Sequence, residues 1–121
     1  MIVADRSPLI YLAALSDFEL LPSLFGRVHI PPAVLREVVD QGEGFAVRPA
    51  VLSALGQWMD VVPLAIPVRE ILVRGHSLHA GESEVIRAAQ ERGADVLLMD
   101  DRRTVQYARS LGFRVAPTLS I

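Results

Sequence analysis

The feature that most constrains this chain is an unbroken apolar run, Val96-Leu97-Leu98-Met99, that ends abruptly on two carboxylates, Asp100 and Asp101. A strand with one wet face alternates apolar and polar residues. An uninterrupted run instead suits a strand covered on both faces, as in a parallel sheet between helices. The same pattern opens the chain, where Ile2-Val3-Ala4 leads into Asp5.

Between such runs lie segments of helical periodicity. Ser7-Pro8 predicts a helix start, a hydroxyl cap followed by proline at the first helical position, with Leu9, Ile10, Leu12, Ala13 and Ala14 on its apolar side. Asp17 is expected to cap a second helix that points Phe18, Leu20, Leu21 and Leu24 inward and stops at Gly26. Residues 27–30 read as a strand. Pro31-Pro32 ends it and starts a helix with Val34, Leu35, Val38 and Val39 on one side. A loop is expected over 41–46, a helix over 49–58, a short strand over 59–63 and a further helix over 67–74. Residues 81–92 carry the clearest helical pattern, stopped by Gly93; 104–111 form another helix, and 113–116 the last strand. Strands separated by helices predict a three-layer α/β/α fold around a mostly parallel sheet of four to five strands, in one domain over residues 1–121.

Composition excludes several function classes. Hydrophobic residues make up 51% and charged residues 21%, which is not a disordered chain. No apolar run is long enough to span a bilayer, and Met1 leads straight into a strand without the pattern of a signal peptide. The chain has no cysteine, which removes disulfides and thiolate chemistry and makes a cytoplasmic location the expectation. It has no lysine either: all twelve basic residues are arginine. A Walker A site, a Schiff-base enzyme and a receiver-like signalling domain needing a lysine are thereby disfavoured. Net charge is only −2, so the whole molecule is not a polycation for nucleic acid.

In open parallel sheets, ligands bind beyond the carboxyl ends of the strands, where strand order reverses. Asp5 and the Asp100-Asp101 pair fall at such ends. Glu37 lies on the helix after the second strand, and Glu82 in the first turn of the 81–92 helix. Each has an ordinary explanation taken alone. Asp5 can be a helix cap, one of Asp100 and Asp101 can cap the helix that follows, Glu82 suits a helix N-terminus, and Glu37 can face solvent. Asp5, Glu37, Glu82 and one of the Asp100-Asp101 pair are together four acids at one sheet edge, whose mutual repulsion calls for a cation.

Four segments resemble one family. Val3-Ala4-Asp5-Arg6-Ser7-Pro8-Leu9-Ile10 resembles the opening strand and acid of PIN-domain nucleases, in the branch that begins Asp-x-Ser-Pro-Leu-Ile. Ile30-Pro31-Pro32-Ala33-Val34 with Glu37-Val38-Val39 is similar to its second block. His79-Ala80-Gly81-Glu82-Ser83-Glu84-Val85-Ile86 is similar to its Gly-Glu-x-Glu helix start, and residues 95–102 to its strand ending in Asp-Asp-Arg. The resemblance implies catalytic acids at Asp5, Glu37, Glu82 and Asp100, with Asp101 or Glu84 supplementing them and Ser7 assisting beside the metal. Asp5, Glu82, Asp100 and Asp101 are the expected metal ligands, for Mg²⁺ or Mn²⁺, which favour carboxylates and water. Arg6, Ser7 and Arg102 are expected to touch substrate. The family further implies an endoribonuclease acting on RNA, the VapC-like toxin of a type II toxin–antitoxin pair, a homodimer held in check by a cognate antitoxin. Arg6 stands where that branch has a small residue, and with the short stretch after the last strand it favours an alternative: a catalytically weak PIN-like module that binds RNA or a protein.

His76 and His79 have a spacing open to zinc, but no third ligand of matching type is near; they and His29 are read as structural or solvent-facing. Trp58 is read as a packing anchor.

Overall fold

A computed structural model describes residues 1–40, 46–65 and 70–121. The strands β1 (Ile2–Ala4), β2 (Val28–Ile30), β3 (Met59–Val61), β6 (Val96–Leu98) and β7 (Val115–Ala116) form one sheet in the order β3-β2-β1-β6-β7, and every pairing is parallel. Helices cover both faces, in a three-layer α/β/α fold. The two apolar runs that end on acids are neighbours at the centre: Ile2, Val3 and Ala4 lie beside Val96, Leu97 and Leu98. Val3, Ala4, Leu97, Leu98 and Met99 are wholly buried, as strands covered on both faces require.

The topology fixes where a site can form. From β1 the chain builds outward through β2 to β3, then crosses back to β6 on the other flank of β1. β1 is therefore where the winding reverses, and the crevice beyond its carboxyl end is the place for a ligand. Register aligns that edge. The Asp5 amide donates to Leu98 O at 2.8 Å, which sets Asp5 beside the end of β6.

The helices are α1 (Arg6–Ala14), α2 (Leu20–Phe25), α3 (Pro32–Leu35), α4 (Val47–Ala54), α5 (Ala80–Arg92) and α6 (Arg102–Ser110). Several differ from the sequence expectation. Helix α1 starts at Arg6, with Asp5 and not Ser7 as its N-cap; Pro8 sits within the first turn, where its missing N–H has no intrahelical partner to lose. Helix α2 starts only at Leu20, after Glu19, so Asp17 does not cap it. Phe18 and Leu21 are buried as expected, but Leu20 and Leu24 are 38% and 56% exposed, because so short a helix turns only a narrow stripe inward. Helix α4 covers 47–54 and ends before Trp58, whose ring packs against Phe18 with centroids 5.4 Å apart.

Two differences shape the site. The expected single helix after Pro31 is a four-residue α-turn, α3, that widens into a π-helical turn over Arg36–Asp40. A wider turn changes which side chains face inward, and both Glu37 and Val38 are buried. The second concerns the expected 67–74 helix and the 41–46 loop. Residues 67–69 and 41–45 lie outside the described residues. Leu72–Val73 is not helical: it is β4 of an antiparallel hairpin with β5 (His76–Ser77). No helix among the described residues is long and apolar enough to cross a membrane.

Candidate active site

Asp5 is the helix cap that the sequence allowed, and it is also buried. Its Oδ1 accepts the Arg6 amide at 2.8 Å and so caps α1, yet only 3% of the residue is exposed. Burial in a low-dielectric setting disfavours its charged form most. The nearby charges of Glu82 and Glu37 add to that, while the Arg6 amide and guanidinium oppose it, and the carboxyl is pushed up to about 7. A helix cap alone needs none of this. Of the acids that the sequence pointed to, Glu82 and Glu37 act on Asp5.

Glu37 reaches the pocket from the π-helical turn, nearly buried, with Oε2 3.4 Å from Arg6 Nη1. Room for its carboxylate comes from Gly81: a Cβ there would overlap Glu37 Oε1 and stand 3.0 Å from its Cδ and Oε2. The glycine of the Gly-Glu-x-Glu segment is thus a space for the neighbouring acid. Glu82, also buried, follows in the first turn of α5; its Oε1 accepts the His79 amide at 3.0 Å, closing that helix end. Its Oε2 accepts Thr104 Oγ1 at 2.7 Å.

The remaining acids have partners of their own. Asp101 caps α6 by accepting the Thr104 amide at 3.0 Å, and its Oδ2 lies 2.9 Å from Thr104 Oγ1. Burial tends to raise the Asp101 carboxyl, but the Thr104 amide and hydroxyl, a hydrogen bond with Glu82 and the Arg103 charge together outweigh it and hold the group below its ordinary value. Asp100 is half-buried and tied to the C-terminal turn: Oδ1 accepts the Thr118 amide at 2.7 Å and Oδ2 the Thr118 hydroxyl at 2.6 Å. Glu84 braces the scaffold, accepting the Ala33 amide at 2.9 Å at the start of α3 and lying 3.6 Å from Arg36 Nη2. Ser7 is half-buried in the first turn of α1, and Arg102 is exposed at the start of α6.

The structure therefore gathers Asp5, Glu37 and Glu82 with Arg6, links Asp101 to Glu82 through Thr104, and holds Asp100 against Thr118. Among the described residues no three acidic or histidine side chains stand close enough together to grip one ion, the His76 and His79 pair included. His29 lies in β2, with Nδ1 3.3 Å from Ile2 O. Sequence reasoning missed Thr104 and Thr118. A threonine three residues after Asp101, the spacing of a capping acid and the amide it binds, was the available signal for the first.

A parallel sheet whose winding reverses above a buried acidic pocket defines a class of α/β domain. The whole chain, residues 1–121, matches the family model DUF3368, described as a PIN domain, and the protein belongs to that family. The PIN domain is a nuclease fold. Solved structures agree on architecture. A PilT N-terminus domain protein from the hyperthermophilic archaeon Sulfolobus solfataricus P2 superposes with a TM-score of 0.66 at 16% identity, over 98% of this chain and 87% of that one. The PIN domain endonuclease Utp24 superposes with the same TM-score, 0.66, at 14% identity, over 96% of this chain and 83% of the other. At such identities the likeness is one of fold. No curated protein matches the chain.

Proposed function

We propose that this protein is a Mg²⁺- or Mn²⁺-dependent endoribonuclease that hydrolyses RNA phosphodiester bonds at the Asp5–Glu37–Glu82 pocket. The observation that carries the reading is Asp5: a carboxyl buried where the winding reverses, raised to about 7 by burial and by two further acids. The donors fit a hard divalent cation, being oxygen ligands only, held in a mutually repelling set that a positive charge would relieve. Asp5 and Glu82 would hold it, with Asp100 and Asp101 at the rim. When bound, such an ion supplies charge neutralisation and Lewis acidity toward a phosphoryl oxygen. Glu37 is suited to orienting water, and Arg6, at 3.4 Å from Glu37, to steadying either that carboxylate or a substrate phosphate. Ser7 and Arg102 complete the proposed substrate contacts.

At the finer level the protein is proposed to be the toxin of a type II toxin–antitoxin pair, a cytoplasmic homodimer inhibited by its antitoxin, in line with the Asp5-Arg6-Ser7-Pro8-Leu9-Ile10 opening. The Arg6–Glu37 contact also favours a second reading, in which an internal cation takes the place of the metal and the domain binds RNA or a protein with little catalysis. Cleavage of structured RNAs in Mg²⁺ or Mn²⁺, with wild type, Asp5→Ala and Asp100→Ala side by side, separates the two. Metal-dependent cleavage abolished by Asp5→Ala is expected. Cleavage that persists in both variants would sink the site, and absence of both cleavage and metal binding in wild type would favour the binding module.

A further inference from the structure

Beside the acidic pocket lies a cleft of about 730 Å³ between the β4–β5 hairpin and helix α6. The hairpin contributes Arg74 and His76, and the helix Asp101, Arg102, Arg103 and Tyr107. Three exposed arginines face one acid in a chain whose net charge is −2. That acid is already engaged, since Asp101 accepts from the Thr104 amide and lies within hydrogen-bond reach of its hydroxyl. Among the described residues none of the three arginines forms an ion pair.

The hairpin tip is the second, independent observation. Val73 and His76 pair across a two-residue turn, and both turn residues have positive φ: Arg74 at 50° and Gly75 at 79°. Such a turn takes Asn-Gly or Asp-Gly most readily, because a long side chain with a Cβ is disfavoured there. Arginine at this position works against the turn and serves the cleft. The hairpin is also anchored: Ile71 and Leu78 at its base are buried, the Leu78 amide donates to Ile71 O at 2.8 Å, and the Ile71 amide donates to Ser83 Oγ at 3.0 Å on α5, next to Glu82.

We propose that this cleft is a binding groove for a single phosphodiester strand, in which Arg74 on the hairpin and Arg102 and Arg103 on α6 contact successive backbone phosphates. Arginine suits this role because its planar fork donates in pairs to phosphate oxygens. Half-buried Tyr107 offers a ring face for a base. The groove runs to the acids through one side chain, as Thr104 joins Asp101 on the cleft wall to Glu82 in the pocket. It would therefore hold the strand that flanks the bond to be cut. The inference rests on the nuclease reading, and it concerns residues away from the buried carboxylates.

The test is binding without catalysis. Fluorescence anisotropy of short labelled single strands, one RNA and one DNA, is recorded in EDTA over a salt series, and cleavage in Mn²⁺ is measured separately. Three phosphate contacts predict a log–log salt slope of about −2 for wild type, and each lost arginine should flatten it by about 0.7. Arg74→Asn, which keeps a turn-compatible residue, and Arg103→Ala should each weaken binding about threefold to fivefold. Arg87→Ala, on α5 and bonded to Gln90, should leave binding unchanged. Equal losses on RNA and DNA mark backbone contacts; losses on RNA alone add a ribose contact to the same groove. Variants that bind and flatten no more than Arg87→Ala, while wild type cleaves, overturn the groove and leave the nuclease standing. A wild type that neither binds nor cleaves overturns both.

Discussion

The buried Asp5 carboxyl makes a prediction about folding that requires no substrate. Its ordinary value is 3.8 and its value in the folded protein is about 7. A carboxyl raised on folding leaves stability intact below its unfolded value and removes it as pH climbs through the folded one. The difference is about three units, and at 1.36 kcal/mol per unit the loss is on the order of 4 kcal/mol between pH 4 and pH 8. Against a total of about 5–15 kcal/mol for a small domain, this is a large share. Asp5→Asn removes the charge but keeps an oxygen for the Arg6 amide and a side chain well suited to the N-cap. Urea unfolding in EDTA should therefore find the two proteins equally stable near pH 4 and the variant ahead by on the order of 4 kcal/mol above pH 8. Asp101, which is lowered, acts with the opposite sign and only in the acid range, so it does not enter this window. Adding Mn²⁺ at pH 8 should close much of the gap by stabilising wild type alone. Parallel curves across the range, or a wild type that gains stability on the way up, would refute the assignment of burial as the cause.

Two further substitutions test the supports of the pocket. Thr104→Val keeps the volume but removes the only side-chain hydroxyl bonded to Glu82 among the described residues, and should cost about 1–3 kcal/mol in thermal unfolding; an unchanged midpoint would mean that the hydroxyl contributes nothing. Gly81→Ala gains up to about 1 kcal/mol of helix propensity but drives a methyl into Glu37, a repacking worth about 1–3 kcal/mol, so the net is a small loss with weakened Mn²⁺ affinity by calorimetry. A more stable variant with unaltered affinity would show that Glu37 has room elsewhere.

Local pattern carried the frame of the molecule. Val96-Leu97-Leu98-Met99 and Ile2-Val3-Ala4 became the central parallel strands because residues apolar on both faces have no other stable place. The acids at their ends followed, since strand direction and register alone decide that Asp5 and Asp100 leave the sheet on one side. What local pattern could not carry depends on distant partners. The widening of the helix at Arg36–Asp40 leaves the apolar spacing of 34–39 unchanged, so periodicity predicts a plain α-helix there. Leu20 and Leu24 match a buried stripe as well as Leu21 does, and only packing leaves them outside. The short β4–β5 hairpin has too few residues to show alternation, and an arginine in its turn is the opposite of the usual signal. The attachment of Asp100 to Thr118 spans eighteen residues of sequence, beyond the reach of any motif.

Thr104 has one hydroxyl proton and two carboxylates within reach, Glu82 Oε2 at 2.7 Å and Asp101 Oδ2 at 2.9 Å. A single O–H can point fully toward only one of them. Whichever acid is less neutralised by its surroundings draws the proton, and the other must find its positive partner elsewhere. Arg103 adds its charge on the Asp101 side, which tilts the claims of the two acids on that proton. The threonine is thus a shared pin between cleft wall and pocket, and losing its hydroxyl takes a hydrogen-bond partner from both acids at once.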